Sequence, residues 1–265
     1  MKLQKLYRYV RQAADKYHLI DNGDKIAVAV SGGKDSLALL YALAGLRRFY
    51  PASFTLCAIT VDIGFGMDFT PVKRLCEELD VQFFICQTQI KEIVFHQDNP
   101  NGSCSFCANL RRGALVSKAS ELGCTKLALG HHKEDIVYTM MMSMLFEGRF
   151  YAVSPYTAYS DSKMAVIRPL IYASEGEIRS FAQQYHLPVI KNLCPRDGHS
   201  ARSDMQQLMQ QLNTIYPDAR DRFFHAIENG NIEDWTAALT HMDVKQIQNQ
   251  IKKDQKEGDS SGGKI

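Results

Sequence analysis

The stretch that decides the fold is residues 25–36, Lys-Ile-Ala-Val-Ala-Val-Ser-Gly-Gly-Lys-Asp-Ser. An apolar run predicts a buried strand, and after the loop Ser31–Ser36 an apolar pattern over 37–43 predicts a helix. Two consecutive glycines let backbone N–H groups face inward at the start of that helix. Backbone donors, a lysine and the positive end of the helix dipole therefore predict an anion site, most plausibly for phosphate. The structural alternative is a tight connection with a solvated Lys34 and a capping Asp35.

Length and composition predict one sizeable α/β core with an appendage, since the chain has 265 residues and is 45% hydrophobic. A net charge of +2 permits a local nucleic-acid patch without arguing for one. We find no secretory signal and no apolar run long enough to span a membrane, which predicts a cytoplasmic protein with no membrane partner. Seven cysteines in such a chain suggest reduced thiols with metal or catalytic roles.

Strand patterns alternate with helical patterns along the chain, which predicts a doubly wound, parallel, five-stranded sheet. After the strand that leads into the loop, the predicted strands are 54–61, 81–85, 126–129 and 165–167. The predicted helices are 3–17, 37–43, 69–79, 105–122, 134–146, a capping-box helix beginning at 174, and three more near 200–213, 218–228 and 231–240. We divide the chain into an N-terminal helix (1–22), an α/β nucleotide-binding domain (23–195), a C-terminal helical extension (196–245) and a disordered tail (246–265).

Polar residues follow three of the predicted strands. In open α/β sheets ligands bind beyond the carboxyl ends of the strands, where the loop Ser31–Ser36 lies. Asp62 ends the second strand, and its carboxylate could meet a ribose or a metal, or simply cap a turn. The segment Gly130–Asp135 follows the fourth strand, and its two histidines could bind phosphate or shuttle protons. Its acids, Glu134 and Asp135, could equally compensate a helix dipole.

The cysteines suggest a metal site. Cys104 and Cys107 form a C-x-x-C near a predicted helix start, so their thiolates share one face and could hold one metal. Alone, this pair could be half a zinc site, a redox pair or two buried residues. Cys194 lies in a predicted loop and is the best candidate for a third ligand. The other four look structural: Cys57, Cys76, Cys86 and Cys124.

Five motifs occur in the order of a known family. The loop matches the S-G-G-x-D-S loop of the PP-loop ATP-pyrophosphatase superfamily, and the whole order resembles the tRNA 2-thiocytidine synthetase (TtcA) family. The five motifs are Ser31–Ser36, Cys104–Gly113, Leu129–His132, Val166–Tyr172 and Asn192–Cys194.

The resemblance implies an adenine nucleotide alpha hydrolase-like fold and an ATP-dependent tRNA sulfurtransferase that releases AMP and pyrophosphate. The family's activity is to adenylate the C2 oxygen of a pyrimidine, here cytidine in the anticodon loop, and to replace it with sulfur to give 2-thiocytidine. The implied cofactors are ATP, Mg²⁺ and a [4Fe-4S] cluster held by Cys104, Cys107 and Cys194. The implied partners are tRNA and a sulfur donor, either a cysteine desulfurase or free sulfide, and a homodimer is included in the prediction.

The resemblance also implies roles for individual residues. The cofactor-binding candidates are Ser31, Gly32, Gly33, Lys34, Asp35, Ser36, Asp62, His131 and His132. The catalytic candidates are Lys34, Asp35, Arg111, Glu134 and Asp135. Lys34 and the loop N–H groups would stabilise departing pyrophosphate, and Asp35 would help to hold Mg²⁺. Arg111 would neutralise the transferring sulfur or an RNA phosphate. Glu134, assigned to proton transfer, replaces the first acid of the family's usual G-H-H-x-D-D.

Other functions remain alternatives. A different PP-loop tRNA modifier, such as a 2-thiouridine synthetase or a lysidine synthetase, would share the loop. Lysine attack on an adenylate needs no metal-bound sulfur, so the three cysteines argue against a lysidine synthetase. A non-catalytic nucleotide-binding regulator with zinc or an iron–sulfur cluster would leave Lys34 and Asp35 without a chemical task.

Overall fold

The computed structural model describes residues 1–95, 104–158, 164–196, 198, 200–230, 232 and 235. The strands are β1 (Asp24–Ala29), β2 (Phe54–Asp62), β3 (Gln82–Gln87), β4 (Lys126–Ala128), β5 (Tyr156–Ala158) and β6 (Ala165–Ile167). The helices are α1 (Leu3–Lys16), α2 (Lys34–Leu46), α3 (Thr70–Glu78), α4 (Ile90–Val94), α5 (Cys104–Glu121), α6 (Lys133–Met142), α7 (Glu175–Gln184), α8 (Ala201–Ile215) and α9 (Ala219–Asn229). A π-helical turn, Ser143–Glu147, extends α6.

The strands form one sheet in the order β3-β2-β1-β4-β6-β5. Strands β1 to β4 and β6 pair in parallel, as the sequence predicts, and β5 pairs antiparallel with β6. The prediction of five strands is wrong, because β5 is a sixth. Two of its three residues, Thr157 and Ala158, are exposed, so this strand has no apolar pattern from which to predict it.

Helices cover both faces of the sheet, which confirms the doubly wound architecture. Helix α2 is apolar on nearly all sides and packs against α1, α7 and the strands. On the opposite face α5 contributes Ala119 to a smaller core that includes Ala27, Ile59 and Leu127. The central strands are therefore buried on both sides, and their carboxyl ends lie together at one edge.

The C-terminal helices pack against the α/β domain. Helices α8 and α9 both contact α6, and Trp235 packs edge-on against Tyr17, which follows α1, and Phe224 of α9. These two helices match the predictions for 200–213 and 218–228, whereas most of the predicted helix 231–240 and all of the predicted tail 246–265 lie outside the described residues. Among the helices described, none is both long enough and apolar enough to cross a membrane.

The capping box predicted for the helix that begins at 174 is present at the start of α7, and it also anchors α1. Ser174 Oγ accepts from the Glu177 N–H, and Glu177 Oε2 accepts from the Ser174 N–H at 3.1 Å. Lys5 Nζ lies 2.6 Å from Glu177 Oε1, and the Tyr9 hydroxyl donates to the same oxygen. One carboxylate therefore joins the start of α7 to the N-terminal helix.

We expect this carboxylate to make stability depend on pH. Burial raises the pKa of Glu177, but hydrogen bonds from Lys5 and Ser174 outweigh it and hold the pKa at about 2. The contribution is present above the pKa of the unfolded chain and is lost as pH falls from about 4.5 towards 2. Urea unfolding at pH 6 and pH 3 should show a smaller loss of stability in Glu177→Gln than in the wild type. The exposed Glu78→Gln should behave like the wild type, and equal losses in all three proteins would contradict the expectation.

Candidate functional site

The loop after β1 is closed on itself by its two serines. Ser36 Oγ donates to the Gly33 carbonyl at 2.9 Å and accepts from the Ser31 N–H at 3.2 Å. Gly33 is the extended residue before α2, and no side chain caps that helix start. The first N–H groups of α2 therefore have no intrahelical partners, which suits them to bind an anion.

The segment that leads to Cys194 contacts this loop. The Ile190 N–H donates to the Gly32 carbonyl at 2.9 Å. Gly32 has a φ of +82°, and a Cβ at this position would lie 3.1 Å from the Ile190 side chain. The loop and the segment before the third candidate cysteine are thus in direct contact.

A cavity of about 530 Å³ opens beside the loop. The loop, β2, α5, the turn between β4 and α6, and α8 all contribute to its wall. The lining residues are Ala29, Val30, Ser31, Asp35, Ser36, Ile59, Val61, Ala108, Arg111, Leu115, Leu129, Gly130, His131, Asp135 and Arg202. One cavity therefore joins the predicted phosphate loop to the helix that begins at Cys104.

The turn between β4 and α6 lies directly against the start of α2. A Cβ on Gly130 would lie 3.1 Å from the backbone carbon of Asp35 and 3.1 Å from the backbone nitrogen of Ser36. Position 130 therefore has little room for a side chain. This close approach places His131 and Asp135 in the same wall as the loop.

The two histidines have opposite electrostatic surroundings. Burial, together with the nearby Arg168 charge, lowers the pKa of His131 to about 4, so this ring is neutral at pH 7. His131 Nδ1 is buried and has no hydrogen-bond partner among the described residues. Burial lowers the pKa of His132, but the hydrogen bond to Glu134 and the charges of Asp135 and Asp35 raise it above its usual value. The site thus combines a neutral ring that can accept or donate with a buried ring that favours its charged form.

Two of the predicted acids line the cavity. Asp135 accepts from the His132 N–H at 2.9 Å and forms an ion pair with Arg202. Asp35 Oδ2 accepts from Lys34 at 3.0 Å, whereas its Oδ1 is buried without a hydrogen-bond partner in the described part of the chain. Asp35 Oδ1 lies 3.8 Å from His132 Nε2, so its free acceptor position could serve either that ring or a bound cation.

Three other candidates are not among the residues that line the cavity. Lys34 Nζ lies 3.0 Å from Asp35 and 3.2 Å from Glu175, so it faces the start of α7. Glu134 is only 3% exposed, and both of its oxygens accept hydrogen bonds. Asp62 Oδ1 accepts from the Gly64 N–H, which is the turn cap that the sequence left as an alternative. In their present positions these three side chains do not contribute to the wall of the cavity.

The three candidate metal-binding cysteines lie in one neighbourhood. Cys104 is exposed at the start of α5, and Cys107 and Cys194 are half-buried. Burial raises the pKa of the Cys107 thiol and the charges of Cys194 and Cys104 raise it further, while Arg111 lowers it. Thiolates are the donors that iron–sulfur clusters require, so the chemistry of this set fits a cluster. Within the described residues no three His, Cys, Asp or Glu side chains already stand at metal-binding spacing, so metal binding would draw these thiolates together.

The other four cysteines lie outside the candidate metal set. Cys57 and Cys124 are buried with their sulfur atoms 3.6 Å apart, and Cys76 is a buried residue of α3. Cys86 is half-buried in β3. Three of them are therefore buried, as the structural interpretation expects, whereas the role of half-buried Cys86 stays a prediction from the sequence.

The structure adds residues that the sequence did not indicate. Arg202, from α8, lines the cavity, and Arg220, from α9, donates to Glu134. Both arginines lie in helices whose sequences carry no motif. An exposed arginine on a predicted helix has no local signal that distinguishes a site residue from a solvated charge.

The glycines of the loop make a testable pair. Gly32→Ala should lower the free energy of unfolding by about 1–3 kcal/mol, because an L side chain at positive φ is strained and also meets Ile190. Gly33→Ala should leave stability unchanged or raise it slightly, because Gly33 is extended and its nearest neighbour lies at 3.5 Å. Urea unfolding of both variants checks this, and equal effects would rule out the strain.

Comparison with known proteins places the chain in a family. A PP-loop domain model matches residues 3–212. The tRNA-cytidine(32) 2-sulfurtransferase of Dechloromonas aromatica is 36% identical over 237 residues, which cover 86% of this chain and 82% of that protein. The one from Syntrophotalea carbinolica is 38% identical over 230 residues, 85% and 89% of the two chains.

The fold is also similar to that of a solved tRNA thiolase. The U34-tRNA thiolase NcsA from Methanococcus maripaludis, with its [4Fe-4S] cluster, has a TM-score of 0.69 and 26% identity, and the match covers 85% of this chain and 77% of that one. The fold, the loop, the cysteines and these relatives agree, and the chain belongs to the PP-loop family, within its group of tRNA-cytidine(32) 2-sulfurtransferases.

Proposed function

We propose that this chain thiolates C2 of cytidine in tRNA, using ATP to adenylate the C2 oxygen that sulfur then replaces. One observation carries the proposal: a single cavity has the glycine loop on one side and, on the other, Ala108 and Arg111 of the helix that bears Cys104 and Cys107. Oxide is a poor leaving group, whereas AMP on the same oxygen leaves readily. Activation of oxygen and delivery of sulfur must therefore occur in one place.

The loop side of the cavity suits ATP. The free N–H groups at the start of α2 would bind phosphate, and Ser31 and Ser36 hold the loop in shape. The buried, unpartnered Asp35 Oδ1 supports a role for this residue in holding Mg²⁺. Lys34 would reach the phosphates by exchanging its present carboxylate partners, Asp35 and Glu175, for them.

The other side suits an iron–sulfur cluster held by Cys104, Cys107 and Cys194. Three thiolates leave one iron without a protein ligand, and a cluster bound in this way would supply a site for the sulfur that is transferred. Arg111 lines the cavity, and its charge opposes the burial that raises the pKa of Cys107, so it would favour the thiolate and would also attract an RNA phosphate. Asp135 and its partner Arg202 lie in the same wall and could orient the base.

A second candidate differs in the nucleoside. The solved relative acts on U34 of tRNA, so thiolation of a uridine would use the same arrangement. Family membership favours cytidine. The sulfur donor, the homodimer, the cytoplasmic location and the division at residues 23, 196 and 246 stay predictions from the sequence.

AMP release tests the activation step. Holoenzyme with ATP and unmodified tRNA should release AMP and pyrophosphate, and omission of the tRNA should abolish the release. Asp35→Asn should slow it by at least ~10-fold, because the buried oxygen proposed to hold Mg²⁺ loses its charge. Asp80→Asn changes a side chain that is 99% exposed and should have no effect. Release of ADP instead of AMP would contradict adenylation.

The nucleoside profile tests the substrate. Mass spectrometry of digested tRNA from cells that lack the gene should show loss of 2-thiocytidine. Expression of the wild-type chain should restore it, and Cys194→Ala should not. Loss of a 2-thiouridine with 2-thiocytidine intact would favour the second candidate.

Visible absorbance tests the cluster. Protein purified anaerobically should show the broad visible absorbance of an iron–sulfur cluster, and Cys194→Ala should lose most of it because a three-cysteine set becomes two. Cys86→Ala, which removes a half-buried thiol from β3, should retain it. A colourless protein that contains zinc would contradict the assignment of an iron–sulfur cluster.

A further inference from the structure

The Glu134 carboxylate is a buried charge that joins three helices. It is 3% exposed, and a buried carboxylate is costly unless it is paired and hydrogen-bonded. Oε2 lies 3.0 Å from His132 Nδ1 and accepts from the Glu175 backbone N–H at 2.9 Å. Oε1 accepts from the Arg220 guanidinium at 3.0 Å. The partners belong to the starts of α6 and α7 and to α9.

The ring of His132 lies between Glu134 and the carboxylates of the cavity wall. His132 is fully buried, and the partner of its Nδ1 fixes the direction in which Nε2 points. Nε2 lies 3.4 Å from Asp135 Oδ2 and 3.8 Å from Asp35 Oδ1. Both carboxylates line the cavity. A rotation of this ring would therefore alter the surroundings of two groups placed at the reacting centre.

Arg220 contacts Glu134 from the C-terminal helical extension. Its backbone N–H donates to Asn213 Oδ1, and its guanidinium also lies 3.7 Å from Asp221. Lys133, the first residue of α6, pairs with the same Asp221 at 3.0 Å. The start of α6 is thus tied to α9 at two points, next to the cavity.

We propose that Arg220 is a positioning residue of the cavity, which acts through Glu134 and His132 on Asp35 and Asp135. The assignment rests on the proposed function for its effect on the reaction. It also gives the glutamate at position 134 a task, since its two oxygens span the gap between His132 and Arg220. Glu134 then acts by holding His132 rather than by transferring a proton.

Kinetics of the holoenzyme test the proposal. Arg220→Gln should lower kcat for tRNA-dependent AMP release by ~10-fold or more, because small displacements of reacting groups slow the chemistry strongly. KM for ATP should change by less than ~3-fold, because phosphate binds mainly to the loop N–H groups. Arg220→Lys should recover part of the rate, since it keeps the charge. Arg222→Gln, an exposed arginine on the same helix, is the matched control and should match the wild type.

A spectroscopic measurement separates positioning from a purely structural role. Imidazole ¹H–¹⁵N spectra, with the His132 signals assigned from a His132→Asn variant, should show these signals shifted in Arg220→Gln and unshifted in Arg222→Gln. Circular dichroism at the assay temperature gives the folded fraction of each variant. An unchanged kcat in Arg220→Gln overturns the proposal, and so does a fall in kcat that only matches the loss of folded protein.

Failure of the proposed function and failure of the positioning role give different results. If the wild type releases no AMP with tRNA, the proposed function fails. The His132 signals then decide on positioning alone: a shift in Arg220→Gln supports it, and unshifted signals overturn it.

Discussion

The site depends on one close backbone approach, that of Gly130 to the first turn of α2. A Cβ on Gly130 would lie 3.1 Å from backbone atoms of Asp35 and Ser36, so the end of β4 and the start of α2 form one continuous wall. Neighbouring parallel strands place their carboxyl ends at one edge, and this contact brings the two connections that follow them together. His131 and Asp135 face the loop as a consequence.

Negative charge is concentrated next to this contact and is balanced by neighbouring cationic side chains. Asp35, Glu134 and Asp135 bring three carboxylates to the starts of α2 and α6, where the helix dipoles also favour negative charge. Burial nevertheless requires partners, which His132 supplies from within the wall and Arg220 from α9. The helices after residue 200 are therefore part of the electrostatics of the site, although they lie outside the sheet.

The sequence predicts those parts of the molecule that local interactions determine. The loop, the capping box at Ser174 and the buried strands follow from residues close in the chain, and each is present. The predicted helix 134–146 is α-helical only to Met142 and continues as a π-helical turn. The direction of Lys34 depends on Glu175, more than a hundred residues away, and the place of Arg202 depends on the packing of α8 against α6. Such tertiary contacts have no signature in a single sequence.

The contact between Gly32 and Ile190 joins the two halves of the proposed chemistry. A backbone hydrogen bond contributes about 0.5–1.5 kcal/mol net, which corresponds to roughly a tenfold effect on an equilibrium at most. A bond of this size cannot by itself switch the site between two states. Its effect is geometric, since four residues after Ile190 the chain reaches Cys194, and the loop fixes where that segment begins. The loop proposed to bind phosphate therefore also limits where the third candidate thiolate can stand, and so where sulfur would meet the activated oxygen.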